Sequence, residues 1–217
     1  MRLLDQPWPL KAIWAVLLAE AGYALASGAF SVAFVALATF ALTLVPVYLQ
    51  RFIGARVPAG FIVAVALFLM ATLFLGEVRD FYNRFWWWDV VLHGGSAMAF
   101  GLIGFLFVFM LFQGDRYAAP AWAVAFMSFS FAITIGALWE IFEFAMDQVF
   151  GLNMQKTGLV DTMWDLIVDT LGAGLGATAG FFYLKGRELG GLTAALREFV
   201  AANRRLFRRR PGRRRGP

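Results

Sequence analysis

The 217-residue sequence contains no cysteine and a single histidine, His93. Without cysteine the chain cannot form disulfides, thiolate metal sites or a cysteine nucleophile. One histidine excludes the His-Glu-x-x-His zinc motif and the paired Glu-x-x-His ligands of di-iron helical bundles. A metal or catalytic site in this chain therefore has to be built mainly from oxygen ligands.

Charged residues are scarce as well. They make up 15% of the sequence, whereas hydrophobic residues make up 61%. Soluble domains contain about 25% charged and about 45–50% apolar residues, so a water-soluble globule is excluded. Hydrophobic runs near residues 10–26, 30–50, 58–76, 89–112, 120–146 and 162–184 are each long enough to cross a hydrocarbon core of about 30 Å. The sequence predicts an all-α polytopic membrane protein with a bundle of six transmembrane helices in residues 1–185.

Positive charge is concentrated near the C-terminus. Eight of the 19 Lys and Arg residues lie between Arg204 and Arg215, so the rest of the chain is slightly acidic. Residues 186–217 are predicted to form an amphipathic helix on the membrane surface and a disordered Arg-rich cytoplasmic tail. The apolar residues of this helix recur at three- and four-residue steps, at Leu189, Leu192, Leu196, Phe199, Val200 and Leu206. A basic tail beside anionic lipid is the preferred interpretation, and no nucleic-acid partner is expected.

The distribution of Lys and Arg among the loops predicts the orientation of the chain. With both termini in the cytoplasm, the inner loops hold most of the basic residues, including Arg51, Arg56, Arg116, Lys185 and Arg187. The outer loops then contain only Arg79, Arg84 and Lys156. The positive-inside rule therefore favours cytoplasmic termini and places Asp80 and Lys156 on the outer side.

Acidic residues are the most informative feature of the predicted spans, because each ionisable group in a bilayer is costly unless it is paired, hydrated or bound to an ion. Under this topology eight of the 14 acids lie at or near the outer ends of spans three to six. Helical spacing places seven of them, with the histidine, on three stripes: Asp89 and His93; Glu140, Glu143 and Asp147; and Asp161, Asp165 and Asp169. We expect the three stripes to face one another inside the bundle.

So many carboxylates in one cleft require counter-charge, and the nearby cations are few. A divalent metal bound by Asp89, His93, Glu140, Asp147, Asp161, Asp165 and Asp169 would supply it. Oxygen ligands with one imidazole suit Mg, Mn, Fe or Zn better than copper. The alternatives are a network of protonated acids, a water-filled vestibule, or simple helix packing.

Other polar and small residues have ordinary interpretations. Ser96 is interpreted as a helix-packing residue rather than a nucleophile, and Trp86, Trp87 and Trp88 as an interfacial aromatic belt. The glycines at four-residue steps in span six predict close helix packing: Gly172, Gly176 and Gly180. Glu20 either joins the acidic site or forms a local interaction.

Three motifs carry a resemblance to known families: Asp89-Val-Val-Leu-His93-Gly-Gly-Ser96, Trp139-Glu140-Ile-Phe-Glu143-Phe-Ala-Met-Asp147 and Asp161-Thr-Met-Trp-Asp165-Leu-Ile-Val-Asp169. In this order they resemble the YjdF-like family of bacterial inner-membrane proteins of unknown function. More distantly, they resemble VanZ-like proteins, in which the second Glu is often Gln and the last Asp is often Asn. The resemblance implies a multi-pass protein of the bacterial inner membrane and supplies no reaction.

Three functions are consistent with these features. The leading hypothesis is a metal-dependent enzyme that acts on a lipid or lipid-linked substrate in the outer half of the bilayer. Its metal would activate water or hold a phosphate, with His93 or Glu143 as the catalytic base. The alternatives are a cation- or proton-coupled transporter and a non-catalytic assembly or binding subunit.

Overall fold

The computed structural model describes residues 5–112 and 119–207, and all regular structure in these residues is helical. The helices are α1 Trp8–Ala26, α2 Phe30–Ile53, α3 Ala59–Leu69, α4 Phe81–Arg84, α5 Trp87–Leu111, α6 Ala121–Phe150, α7 Leu159–Leu184 and α8 Gly190–Ala202. A π-helical segment, Met70–Val78, continues α3. Residues 208–217 and Arg116, which enter the predictions of a basic tail and of orientation, lie outside the described residues.

Six helical stretches in the described residues are long and apolar enough to span a membrane: Trp8–Ala26, Phe30–Gln50, Ala59–Val78, Trp87–Leu111, Ala121–Phe150 and Leu159–Leu184. They correspond one to one with the six hydrophobic runs, so the predicted polytopic all-α fold is confirmed. The fifth run extends to Phe150 and the sixth begins at Leu159. Both Asp147 and Asp161 are therefore helical residues.

The ends of the helices follow from proline and glycine. Pro58 and Pro120 directly precede α3 and α6, where the missing N–H of proline costs no helical hydrogen bond. Helix α6 ends at Gly151, which adopts a left-handed φ of 65° and donates its N–H to the Asp147 carbonyl. A short loop then leads to α7.

The helices group into two compact units, one up to Trp88 and one from Asp89 onward. In the first unit, α1, α2, α3 and the π-helical segment share a core that includes Leu17, Ile62 and Phe74. Trp14 Nε1 donates a hydrogen bond to Thr43 Oγ1 at 2.8 Å and so links α1 to α2. This bond gives the indole N–H a partner in an otherwise apolar core.

Glu20 and the tryptophan run also belong to the first unit. The Arg79 guanidinium forms an ion pair with the Glu20 carboxylate, so Glu20 has a cationic partner of its own. Trp86 is 85% exposed, as an aromatic belt requires. Trp88 instead donates its indole N–H to the Ala71 carbonyl in the π-helical segment, at 3.3 Å.

In the second unit, α7 packs against α5 through its small residues. A Cβ on Gly172 would collide with the Gly94 carbonyl oxygen, and a Cβ on Gly176 with the Met98 carbonyl oxygen. A Cβ on Gly180 would overlap the Phe105 ring. The predicted close approach of helices along this glycine face is confirmed, because no larger side chain fits at these positions.

Helix α8 is amphipathic, as its spacing predicts, but its apolar face is covered by protein. Leu196 is 1% exposed and packs in a cluster with Phe105, Phe109, Tyr183 and Phe207. The spacing of apolar residues specifies only that one face needs an apolar neighbour. The ends of α5 and α7 provide that neighbour, where the sequence suggested the membrane surface.

Candidate functional site

The second unit brings the three acidic stripes together at one of its ends. The start of α5 contributes Asp89 and His93, and the start of α7 contributes Asp165 and Asp169. The last third of α6 runs back to the same end. The four most enclosed carboxylates are Glu140 (4% exposed), Glu143 (9%), Asp165 (4%) and Asp169 (2%). The acids therefore occupy the interior of this unit rather than its apolar outer surface.

His93 lies between two carboxylates on different helices. Its Nε2 is 3.8 Å from Asp89 Oδ1 one turn earlier on α5, and its Nδ1 is 3.4 Å from Asp169 Oδ1 on α7. The His93 side chain is 11% exposed. The two ring nitrogens thus face different acids.

Three of the predicted metal ligands converge. Asp89, His93 and Asp165 each offer one ligand atom, and the three atoms lie within 4.8 Å of one another. Two carboxylates and one imidazole form a donor set that suits Mn, Fe or Zn, and Mg when water completes the shell. To bind one cation together at the usual ligand distances of about 2.0–2.3 Å, these atoms would have to approach one another more closely than 4.8 Å.

Two buried carboxylates beside this group lack hydrogen-bond partners in the described residues. Both oxygens of Glu140 are enclosed and have no hydrogen bond, and the enclosed Oδ1 of Asp169 has only the 3.4 Å contact with His93 Nδ1. Thr162 lies near Glu140, and its hydroxyl accepts a hydrogen bond from Gln155 Nε2 at 2.6 Å. Unpaired buried acids are unfavourable, so this region requires a proton or a cation.

Glu143 is held by a residue that the sequence analysis did not single out. Trp139, one turn earlier on α6, donates its indole N–H to Glu143 Oε1 at 2.9 Å. Glu143 also interacts electrostatically with Glu140, His93 and Asp89. The Trp139 indole therefore holds a buried carboxylate within electrostatic range of the cluster, although Trp139 itself is exposed.

Asp147 and Asp161, both predicted metal ligands, contact the loop between α6 and α7. Asp147 accepts the N–H groups of Met154 (2.7 Å) and Gln155 (2.9 Å), one on each carboxylate oxygen. Asp161 Oδ2 accepts the next N–H, that of Lys156, at 3.1 Å. The structure thus gives these two acids backbone partners and does not bring them into the group formed by Asp89, His93 and Asp165.

Lys156 is the one cationic residue between Asp89 and Leu184 in the described part of the chain, which contains seven acids there. It interacts electrostatically with Asp89. Because the flanking amides are bound by Asp147 and Asp161, the loop fixes this positive charge at the end of the unit where the acids lie.

Gly136 is a further residue of the site that sequence reasoning missed. A Cβ at this position would collide with Asp169 Oδ2, so Gly136 leaves the space that the carboxylate occupies. It stands four residues before Glu140, on the same face of α6, and this spacing is the signal that could have identified it. Ser96, in contrast, donates its hydroxyl to the His93 carbonyl at 2.9 Å, as expected for a helix-packing serine.

A family model described as "Predicted membrane protein (DUF2238)" matches residues 9–186. The chain belongs to this family. Apart from Trp8, all six spans and every acid of the second unit's cluster lie within the matched residues, which agrees with the resemblance to YjdF-like membrane proteins of unknown function.

Among relatives, an uncharacterised protein of Thermotoga maritima is 35% identical over 111 residues, which cover 49% of this chain and 56% of the relative. The chain therefore spans little more than half the length of this relative. No solved structure matches the chain.

Proposed function

We propose that the second unit binds one divalent metal ion through Asp89, His93 and Asp165 and uses it in an enzymatic reaction on a lipid or lipid-linked substrate. The observation that carries this proposal is the convergence of the three ligand atoms within 4.8 Å. It is supported by the burial of Glu140 and Asp169, whose carboxylates a nearby cation would stabilise.

The composition of the donor set supports a catalytic metal. Three protein ligands leave coordination positions for water or substrate, whereas structural sites are usually closed by protein side chains. A metal in this position would lower the pKa of bound water or hold a phosphate oxygen. Asp89 is 33% exposed at its side chain, so the metal position has an approach from outside the unit.

Glu143 is the proposed general base, since it interacts electrostatically with His93 and Asp89 but lies outside the three-residue group. In hydrolysis, Glu143 would take a proton from the attacking water. The same carboxyl group would then return the proton to the leaving group. The hydrogen bond from Trp139 holds this carboxylate in place without using both of its oxygens.

Away from the acidic end, the apolar packing of α5, α6 and α7 supports an enzyme. The alternative is a cation- or proton-coupled transporter. Ala97, Ala132 and Ala173 from the three helices form a buried apolar cluster beyond the acidic end. Farther along, Gly176 contacts the α5 backbone directly. A conducting path through this unit would need polar groups or water along its length.

We further propose that the chain resides in the inner membrane with both termini in the cytoplasm, so that the acidic end faces the outer leaflet. The Lys and Arg distribution supports this orientation. Substrates in the outer leaflet would then reach the metal from the membrane or from the outer aqueous phase.

The test is metal-dependent stabilisation of detergent-purified protein. Mn²⁺, Mg²⁺, Fe²⁺ or Zn²⁺ should raise the melting temperature of the wild-type chain in a concentration-dependent manner, because the metal binds the folded form. Asp165→Asn should weaken this response at least several-fold, because a charged oxygen ligand is lost. Asp80→Asn is the matched control: Asp80 lies in the first unit, and Asn tolerates its left-handed φ of 61°.

A wild-type protein that is metal-free and shows no thermal shift with any of these ions would contradict the proposal. Equal metal responses in the Asp165→Asn and Asp80→Asn variants would also contradict the assigned ligands. A network of protonated acids would then be the better explanation of the cluster.

A further inference from the structure

We infer that Asp169 is a positioning residue that turns His93 Nε2 toward the metal, and that Gly136 provides the space in which Asp169 does so. This inference rests on the proposed metal site and assigns roles to two residues outside the three-ligand group. It concerns how the single imidazole of the chain is oriented.

The two nitrogens of His93 have different surroundings. Nε2 faces Asp89, a member of the three-residue group, and Nδ1 faces Asp169, which is not a member. We therefore assign the metal to Nε2, the nitrogen beside Asp89. In metal sites the remaining ring nitrogen of a histidine ligand almost always donates its N–H to a carboxylate, a carbonyl or water, which fixes the tautomer and the ring orientation.

Asp169 is suited to this role by its burial beside His93. It is 2% exposed, and its Oδ1 has no hydrogen-bond partner in the described residues, although His93 Nδ1 lies 3.4 Å away. This separation is long for a hydrogen bond, and such contacts often shorten when the site is loaded. A metal on Nε2 requires the ring proton on Nδ1, directed at Asp169.

Gly136 determines where the Asp169 carboxylate can lie. A Cβ at position 136 would collide with Asp169 Oδ2. A methyl group there would have to displace the carboxylate, and with it the oxygen that faces His93. Because Gly136 on α6 has no side chain, Asp169 on α7 can lie where it faces His93 on α5.

The single histidine makes a direct test possible. Protein labelled with ¹⁵N-histidine gives one pair of imidazole signals, and ¹¹³Cd²⁺ serves as a diamagnetic probe whose coupling identifies the bound nitrogen. In the wild-type chain we expect ¹¹³Cd coupling at Nε2 alone and a proton on Nδ1. In Asp169→Asn the coupling should divide between the two nitrogens, and Cd²⁺ affinity should fall about 10- to 100-fold.

Two glycine variants distinguish the positioning of Asp169 from a general effect on helix packing. Gly136→Ala should change the spectrum and the affinity in the same direction as Asp169→Asn. Gly174→Ala, the control on α7, meets nothing within 4 Å and should behave like the wild type. The melting temperature of each variant shows whether the fold is retained, and Gly136→Ala tests the role of Asp169 without altering its carboxylate.

Coupling confined to Nε2 and unchanged Cd²⁺ affinity in folded Asp169→Asn and Gly136→Ala would overturn the inference. If the wild-type chain binds no Cd²⁺ or other divalent metal, the proposed function fails instead. The Asp169–His93 contact is then tested by the spectrum of the metal-free protein. An Nδ1–H resonance with the same chemical shift in the wild-type chain and in Asp169→Asn would overturn the inference.

Discussion

His93 Nδ1 lies 3.4 Å from Asp169 Oδ1, so the only histidine of the chain approaches an acid 76 residues away in sequence on another helix. This contact joins α5 to α7 at the end of the second unit where the acids converge. The other ring nitrogen, Nε2, faces Asp89 at 3.8 Å.

The first prediction is that Asp147 maintains the loop and does not bind metal. Asp147→Ala removes the acceptor of the Met154 and Gln155 amides. Loss of a charged acceptor should lower the free energy of unfolding by about 1–3 kcal/mol. Hydrogen–deuterium exchange should accelerate in residues 151–158 and remain unchanged in α5, as measured by mass spectrometry. A loss of metal affinity equal to that of Asp165→Asn, without faster exchange in the loop, would show that Asp147 is a ligand.

The second prediction concerns the contact between α5 and α7. In Gly176→Ala the new methyl group meets the Met98 carbonyl oxygen and the Gly101 backbone, neither of which is a flexible side chain. Overpacking of this kind costs about 1–3 kcal/mol. Thermal unfolding in detergent should show a lower melting temperature for Gly176→Ala than for Gly174→Ala, whose added Cβ meets nothing within 4 Å. Equal melting temperatures would contradict the packing of this face.

The third prediction is that Glu20 and Arg79 stabilise the first unit as a pair. Arg79→Gln leaves Glu20 in a predicted span without its cation, and Glu20→Gln leaves Arg79 without its acid. Because both side chains are partly exposed, we expect a coupling energy of only about 0.5–1 kcal/mol in a double-mutant cycle of unfolding free energies. Neither variant should alter metal binding by the second unit. If the effects of the two substitutions on the unfolding free energy are strictly additive, the ion pair contributes nothing to stability.

The fourth prediction is the orientation of the chain in the membrane. Because the native chain has no cysteine, a thiol reagent labels only the single cysteine that is introduced. Asp80→Cys and Thr157→Cys, both at exposed positions, should react with an impermeant thiol reagent added to the outside of intact cells. A cysteine at Leu189, after α7, should react only after the membrane is opened. Labelling of Asp80→Cys from the cytoplasmic side alone would reverse the proposed topology.

The spans and the glycine packing could be predicted from the sequence because they depend on local properties. Apolar runs between prolines and glycines determine which residues can cross a bilayer, and four-residue spacing placed Gly172, Gly176 and Gly180 on one face. The same spacing grouped the acids into three stripes, which the structure brings together on α5, α6 and α7.

The roles within each stripe could not be predicted, because they depend on contacts between segments distant in sequence. Asp147 and Asp161 have the same helical spacing as the other acids, but the path of the loop brings its amides to their carboxylates. Gly136 has no chemical signature and matters only because α7 brings Asp169 against it. The apolar face of α8 likewise did not reveal whether lipid or protein would cover it.

The most direct test of the central claim is the binding of Mn²⁺ to the purified chain, followed by pulsed electron paramagnetic resonance. The wild-type protein should bind one Mn²⁺ ion whose spectrum contains the ¹⁴N modulation of an imidazole, and this signal can come only from His93. Replacement of the ring in His93→Gln should abolish the modulation, and Asp165→Asn should weaken Mn²⁺ binding at least several-fold. Failure of the wild-type chain to bind Mn²⁺, or a bound ion without nitrogen modulation, would contradict a metal centre at Asp89, His93 and Asp165.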